Sequence, residues 1–187
     1  MTTIGFTSAR ITIEPTVTDD DREYVNLRRT VTLAGGATEK RSSRLPYLTD
    51  GDDIESVLRL IDEFEDACDA SRLDLNTGAL RKSYFRQCLG DTARDDWDTH
   101  AAAVGNTVAN ARTARNNFIE EYVLPTDLAD QVRYMTTFVK PMNISVSKIF
   151  SRYRFLNQLM TWMPGAAGFP FNDQRLKEVL FSTRPRS

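Results

Sequence analysis

The hydrophobic period of this chain changes once, near Asp52, and that change sets which elements each half can form. Before it, Ile11, Ile13 and Val17 alternate with Thr12, Glu14, Thr16 and Thr18 at the period of a half-buried strand. Tyr24 to Leu33 alternates again, with Val25, Leu27, Val31 and Leu33 on one face. Gly35-Gly36 follows, and glycine supplies the positive φ that a tight reversal needs. A third strand is expected from Lys40 to Leu45. Asp19-Asp20-Asp21, between the first two strands, reads as a turn, since the flanking ligands of a calcium loop are missing.

After Asp52 the apolar residues recur at three- and four-residue steps. Ile54, Val57, Leu58, Ile61, Phe64 and Cys68 form one helical stripe with acidic residues opposite, and Asp52 or Asp53 is the expected N-cap. Leu80, Tyr84, Phe85, Cys88 and Leu89 predict a second helix, stopped by Gly90 in the left-handed conformation, with Asp91 capping the third. Ala93, Trp97, Ala101 and Val104 face inward on that third helix, where small alanines let a neighbour approach the indole. A fourth helix from Val108 to Val123 carries Ala111, Ala114, Phe118 and Tyr122, and Pro125 marks the expected domain boundary. Beyond it, Thr126 caps a helix to about Phe138, broken by Lys140-Pro141. Ser145 or Ser147 caps a second, with Ile149, Phe150, Tyr153, Leu156, Leu159, Met160 and Met163 in a broad stripe. Asn172 begins the last, with Leu176, Val179 and Leu180, and this helix stops near Arg184-Pro185, the pattern expected of a chain cut before its natural end.

Charge and cysteine usage narrow the function. No apolar run approaches the roughly 18 residues of a membrane span, and the N-terminus lacks a secretory layout, so a soluble cytoplasmic protein is expected. Cys68, Cys88 and the single His100 cannot supply four zinc ligands; reduced buried thiols, and no metal or cofactor, are expected. The net charge of −2 argues against indiscriminate coating of nucleic acid. Its distribution is uneven: 14 acidic and 6 basic residues lie between Asp50 and Asp98, against 4 and 9 from Pro125 to Ser187. Ordinary solvated helix faces account for such a split, and so do two domains whose opposite potentials help neighbouring subunits meet in an assembly.

Three segments share a family resemblance. The run Phe85-Arg86-Gln87-Cys88-Leu89-Gly90-Asp91-Thr92-Ala93-Arg94-Asp95-Asp96-Trp97, followed by Ala111, Ala114 and Phe118, resembles the capsid signature of Gag polyproteins from LTR retrotransposons of the gypsy class and their relatives. Ser145, Val146, Phe150, Arg152 and Tyr153, within Met142 to Tyr153, resemble the Gag counterpart of the retroviral major homology region. Leu45-Pro46-Tyr47-Leu48-Thr49-Asp50-Gly51-Asp52 resembles the family's lead-in to its first helix. The resemblance covers roughly residues 45 to 187; the strand-rich N-terminus lies outside it.

The resemblance implies a mainly α fold of two small helical-bundle domains, retroviral-capsid-like, preceded by a short β-hairpin-like element. Residues 1–46 would be the β-rich arm, 47–124 the capsid N-terminal domain and 125–187 its C-terminal domain. It implies a shell protein without catalytic residues, a homo-oligomer of pentamer- or hexamer-type rings joined by dimer contacts. Leu89, Gly90, Ala93, Trp97 and Phe118 would be its core signature. Trp162, Phe169, Phe171, Leu176 and Phe181 are the expected self-association residues, although Trp162 and Leu176 equally suit the domain core. RNA would be held only indirectly, by a nucleocapsid zinc knuckle that this sequence lacks. A capsid fragment of a longer polyprotein and a Gag-derived domesticated cellular protein both fit that absence.

Other functions are weaker. Asp95 and Asp96 are adjacent on a helix and point about 100° apart, so they cannot flank one substrate, while His100 pairs in spacing with Asp96 alone. Gly35-Gly36 lacks the following helix of a phosphate loop. A helical adaptor with one exposed groove is the main rival. A nucleic-acid domain would need Arg133, Lys148, Arg152, Arg154, Arg175 and Lys177 on one face, which their spacing does not provide.

Overall fold

The alternating segment folds as β1, Tyr24–Thr32, and pairs antiparallel with β2, Thr38–Pro46, from Tyr24 opposite Pro46 to Thr32 opposite Thr38. Gly35 and Gly36 hold φ of 102° and 85° in the connecting turn, as the sequence requires of them. The computed structural model describes residue 11 and residues 22–50, 52–138, 144–167 and 170–182, without the side chains of 179–182. The strand expected over 11–18 and the Asp19-Asp20-Asp21 turn lie outside the described residues, apart from Ile11. That residue is buried, and its backbone N–H and C=O both bond the Gln131 side chain at 3.0 Å.

Seven helices follow among the described residues: α1 Ile54–Ala67, α2 Gly78–Gln87, α3 Asp91–Ala102, α4 Val108–Tyr122, α5 Asp127–Thr137, α6 Val146–Met160 and α7 Asp173–Ser182. Asp53 caps α1, its carboxylate accepting from Ser56 N at 2.8 Å, while Asp52 closes the preceding turn by accepting from Thr49 N at 2.6 Å. Thr77, Thr107 and Ser145 cap α2, α4 and α6 in the same way. Thr126 does not: its backbone is helical and its side chain makes no cap bond. Asp127 takes over the turn by accepting from Leu124 N at 2.7 Å.

The hairpin lies against α1, burying Leu27, Val31 and Leu45. Helices α2, α3 and α4 pack on one another beside it, α6 lies along α1, and α7 packs on α5 and α6. Buried apolar side chains from Ile11 to Leu176 form one continuous cluster, so those of 47–124 and of the later helices are joined through the α1–α6 contact. Cys68 and Cys88 are buried free thiols whose pKa desolvation pushes up to about 12, so both stay protonated at neutral pH. Among the described residues, no helix is long and apolar enough to cross a membrane.

Helix α2 approaches the start of α4 closely where α2 begins. A methyl group on Gly78 would meet the Thr107 carbonyl oxygen at 2.1 Å, a backbone atom already committed to starting α4. Neither side can yield without separating the two helix starts. Gly78→Ala is therefore expected to lower unfolding free energy by about 1–3 kcal/mol despite alanine's better helix propensity, read as a lowered urea midpoint. A stabilised Gly78→Ala protein would refute the contact.

Candidate functional site

The residues of the Gag-like signature meet in an aromatic cluster. Phe85 lies at its centre, with ring centroids 5.0 Å from Phe64, 4.6 Å from Trp97 and 5.7 Å from Phe118; Trp97 and Phe118 are 5.9 Å apart. Most of these pairs are edge-to-face, the arrangement that ring quadrupoles favour. The Trp97 indole donates to the Lys82 carbonyl at 3.2 Å, which satisfies its polar atom inside the core. Leu89 and Ala93 are buried beside it.

Gly90 has a different role from the helix stop expected of it. Its φ is −95°, and the residue with positive φ is Asp91, at 27°. Gly90 instead occupies the N-cap position of α3, so Asp91 lies in the first turn and does not cap the helix. The reason for glycine is a close approach: Leu48 N donates to Cys88 O and Gly90 N donates to Leu48 O, both at 2.8 Å. A Cβ at Gly90 would stand 3.2 Å from the Leu48 carbonyl and from the Tyr47 hydroxyl. The lead-in segment thus pairs directly with the signature.

The homology-like segment makes a second long-range tie. Ser145 accepts from Lys148 N at 3.3 Å, Val146 is exposed, and Phe150 is half-buried with the Arg154 guanidinium 5.4 Å from its ring. Arg152 reaches α1 and grips Glu55 with both terminal nitrogens, at 2.8 and 2.5 Å. Glu55 is only 3% exposed and also has Arg22 at 3.7 Å and Arg59 at 3.9 Å. Phe155 covers Arg59 and Arg152, its ring 5.0 and 5.4 Å from their guanidinium carbons. The Tyr153 hydroxyl donates to the Met135 carbonyl at 2.7 Å, and burial pushes its phenol pKa up.

The expected self-association residues divide. Trp162 is half-buried, donating to Asp62 at 2.8 Å with the Arg115 guanidinium 4.9 Å from its ring, so it seals the end of α6 onto α1 and α4. Leu176 is 1% exposed and takes the core role that the sequence also allowed. Phe171 is half-buried, its backbone bonded to the Asn157 side chain through both N–H and C=O at 2.8 Å. Phe169 and the side chain of Phe181 lie outside the described residues. Among the described residues, the exposed large apolar side chains are Leu33, Leu124 and Val146.

The remaining charge readings shift in detail. His100 lies 3.3 Å from Glu121 on α4, not against Asp96, which instead accepts from the Tyr122 hydroxyl at 3.0 Å. Burial, and then that bond, raise the Tyr122 pKa. Of the six basic residues weighed for nucleic acid, Arg152 is held by Glu55, Arg154 by Asp173, Arg133 by Asp130 and Arg175 by Glu178. The bond to Arg154 holds the Asp173 carboxyl below its usual range. Compared with known proteins, the chain matches no family model, no curated protein and no solved structure.

Proposed function

We propose that this chain is a Gag-type capsid segment of an LTR retrotransposon, a structural protein that self-associates into a shell in the cytoplasm and does its work by geometry rather than catalysis. What supports the reading is that its three Gag-like segments, far apart in sequence, interlock. The lead-in at Leu48 bonds the signature at Cys88 and Gly90, and the homology-like segment at Arg152 bonds the helix that the lead-in introduces, at Glu55. A rigid building block of this sort suits an assembly of many weak, repeated contacts, where each is reversible and the sum closes the shell.

In this reading α7, whose described outward side chains Gln174, Arg175, Lys177 and Glu178 are exposed, carries the subunit contact together with Phe171 and the exposed Val146. Negative-stain electron microscopy of the purified chain across concentration and salt, with light scattering on the same samples, is expected to show closed shells or ring-based tubes. A monomer under every condition would sink the shell reading and favour a Gag-derived adaptor that binds another protein.

A further inference from the structure

The face of the β1–β2 hairpin turned away from α1 carries a row of cations that, among the described residues, no carboxylate pairs with. Register decides it. Asn26 opposes Arg44, Arg28 opposes Ser42 and Thr30 opposes Lys40, and all six side chains share the outward face and are exposed. Three successive rungs therefore each present one cation, alternating between strands, with same-face rungs about 6.6 Å apart. No carboxylate stands on those rungs; Glu39 lies on the opposite face, bound to Arg41 at 2.9 Å. Among the described residues, no acidic side chain pairs with Arg28 or Lys40. An open groove of about 480 Å³ at the same place is lined by Arg28, Arg29, Thr30, Lys40, Arg41 and Ser42.

The underside of the hairpin fixes this row in place. Arg29 donates to the Leu73 carbonyl at 2.9 Å, and Arg41 donates to the carbonyls of Ala70 and Arg72, so both strands are fastened to the turn after α1. The Tyr84 hydroxyl donates to Arg28 O at 2.9 Å. At one end of the row the Arg44 guanidinium stacks 4.2 Å from the centre of the Tyr24 ring, forming a flat cationic and aromatic surface.

We propose that this hairpin face binds single-stranded nucleic acid directly: Arg28, Lys40 and Arg44 contact successive phosphates, Thr30 and Ser42 donate hydrogen bonds beside them, and the Tyr24–Arg44 stack takes a base. Regularly spaced cations with an adjoining planar surface fit a flexible backbone and its bases. A second copy of this chain is the poorer occupant, because the acidic stretch that would meet the row is largely engaged within its own fold. Glu55, Glu65 and Asp98 are held by arginines, Asp52 and Asp53 by turn and cap bonds, Asp62 by Trp162 and Asp96 by Tyr122. The site does not depend on shell formation.

Fluorescence anisotropy of a labelled oligouridine with the full chain, at concentrations where sedimentation shows no assembly, tests this apart from the capsid reading. Three phosphate contacts predict a slope of about −2 in log affinity against log salt, hence about a 20-fold loss between about 50 and 200 mM. The triple variant R28A/K40A/R44A should bind at least about tenfold more weakly at about 50 mM salt and lose most of that slope. The variant R133A/R154A, which removes two exposed cations elsewhere, should stay within about twofold of the parent. Circular dichroism melting confirms that both remain folded. Equal weakening by the two variants, no binding at low salt, or binding to phosphatidylserine vesicles in place of the oligonucleotide would each overturn the proposal.

Discussion

Trp97→Ala is expected to remove about 3–5 kcal/mol of stability, enough to leave a domain of ordinary stability partly unfolded at room temperature. The indole is 2% exposed and touches Phe85 and Phe118, which come from the two helices flanking α3. Removing it opens a cavity walled by rings that cannot collapse, because each is held edge-on by another: Phe85 by Phe64, and Phe118 by Phe85. The substitution also removes the indole N–H that donates to the Lys82 carbonyl, which stays within the backbone ladder of α2. Trp97→Phe separates the two effects, since it keeps most of the ring volume and loses the hydrogen bond; a cost of about 1–2 kcal/mol is expected. Urea titrations followed by circular dichroism measure both, and they avoid the change in fluorescence that comes with deleting a tryptophan. A loss below about 1 kcal/mol for Trp97→Ala would mean that the aromatic cluster does not organise the bundle.

This cluster was readable from sequence because its members lie on local stripes. Ala93 and Trp97 fall four residues apart on one helix, and Ala111, Ala114, Phe118 and Tyr122 on the next, so periodicity alone places all six inward, as they are found. The hairpin was readable for the same reason: β1 and β2 begin and end within a few residues of the alternating segments, around a Gly-Gly pair with positive φ. Gly90 was not readable, although its residue type invited a local explanation. Whether a glycine serves left-handed backbone or close approach depends on what passes beside it, here Leu48, some forty positions earlier. His100 shows the same limit: its spacing suggested Asp96 on its own helix, and packing gave it Glu121 on another. Trp162 and Asp62 likewise meet only because α6 returns to α1. The outward basic row was overlooked because its cations alternate between strands, so no run in the sequence gathers them until register is fixed.

Glu55 is the furthest departure from local reading and the origin of the second large effect. On an acidic helix its place in the first turn suggests a solvated carboxylate favoured by the helix dipole. In the fold it is among the least exposed charged residues described, and Arg22, Arg59 and Arg152 converge on it from three parts of the chain. Glu55→Gln keeps the shape of the side chain but removes the negative charge on which three largely buried guanidiniums converge, with Asp53 still 3.9 Å from Arg22. Breaking a buried pair by deleting one partner costs about 3–5 kcal/mol, chiefly through the uncompensated charge that remains. Arg152→Met, which removes one guanidinium and keeps an apolar stem under Phe155, should cost less, because two cations still balance the carboxylate. In the double variant the losses should fall short of their sum, since each single change removes the same contact between α1 and α6. Urea denaturation of the four proteins of this cycle gives the coupling directly. Full additivity would show that the ion cluster does not join α6 to α1, and the continuity of the core between the two would then rest on Trp162 and its apolar neighbours alone.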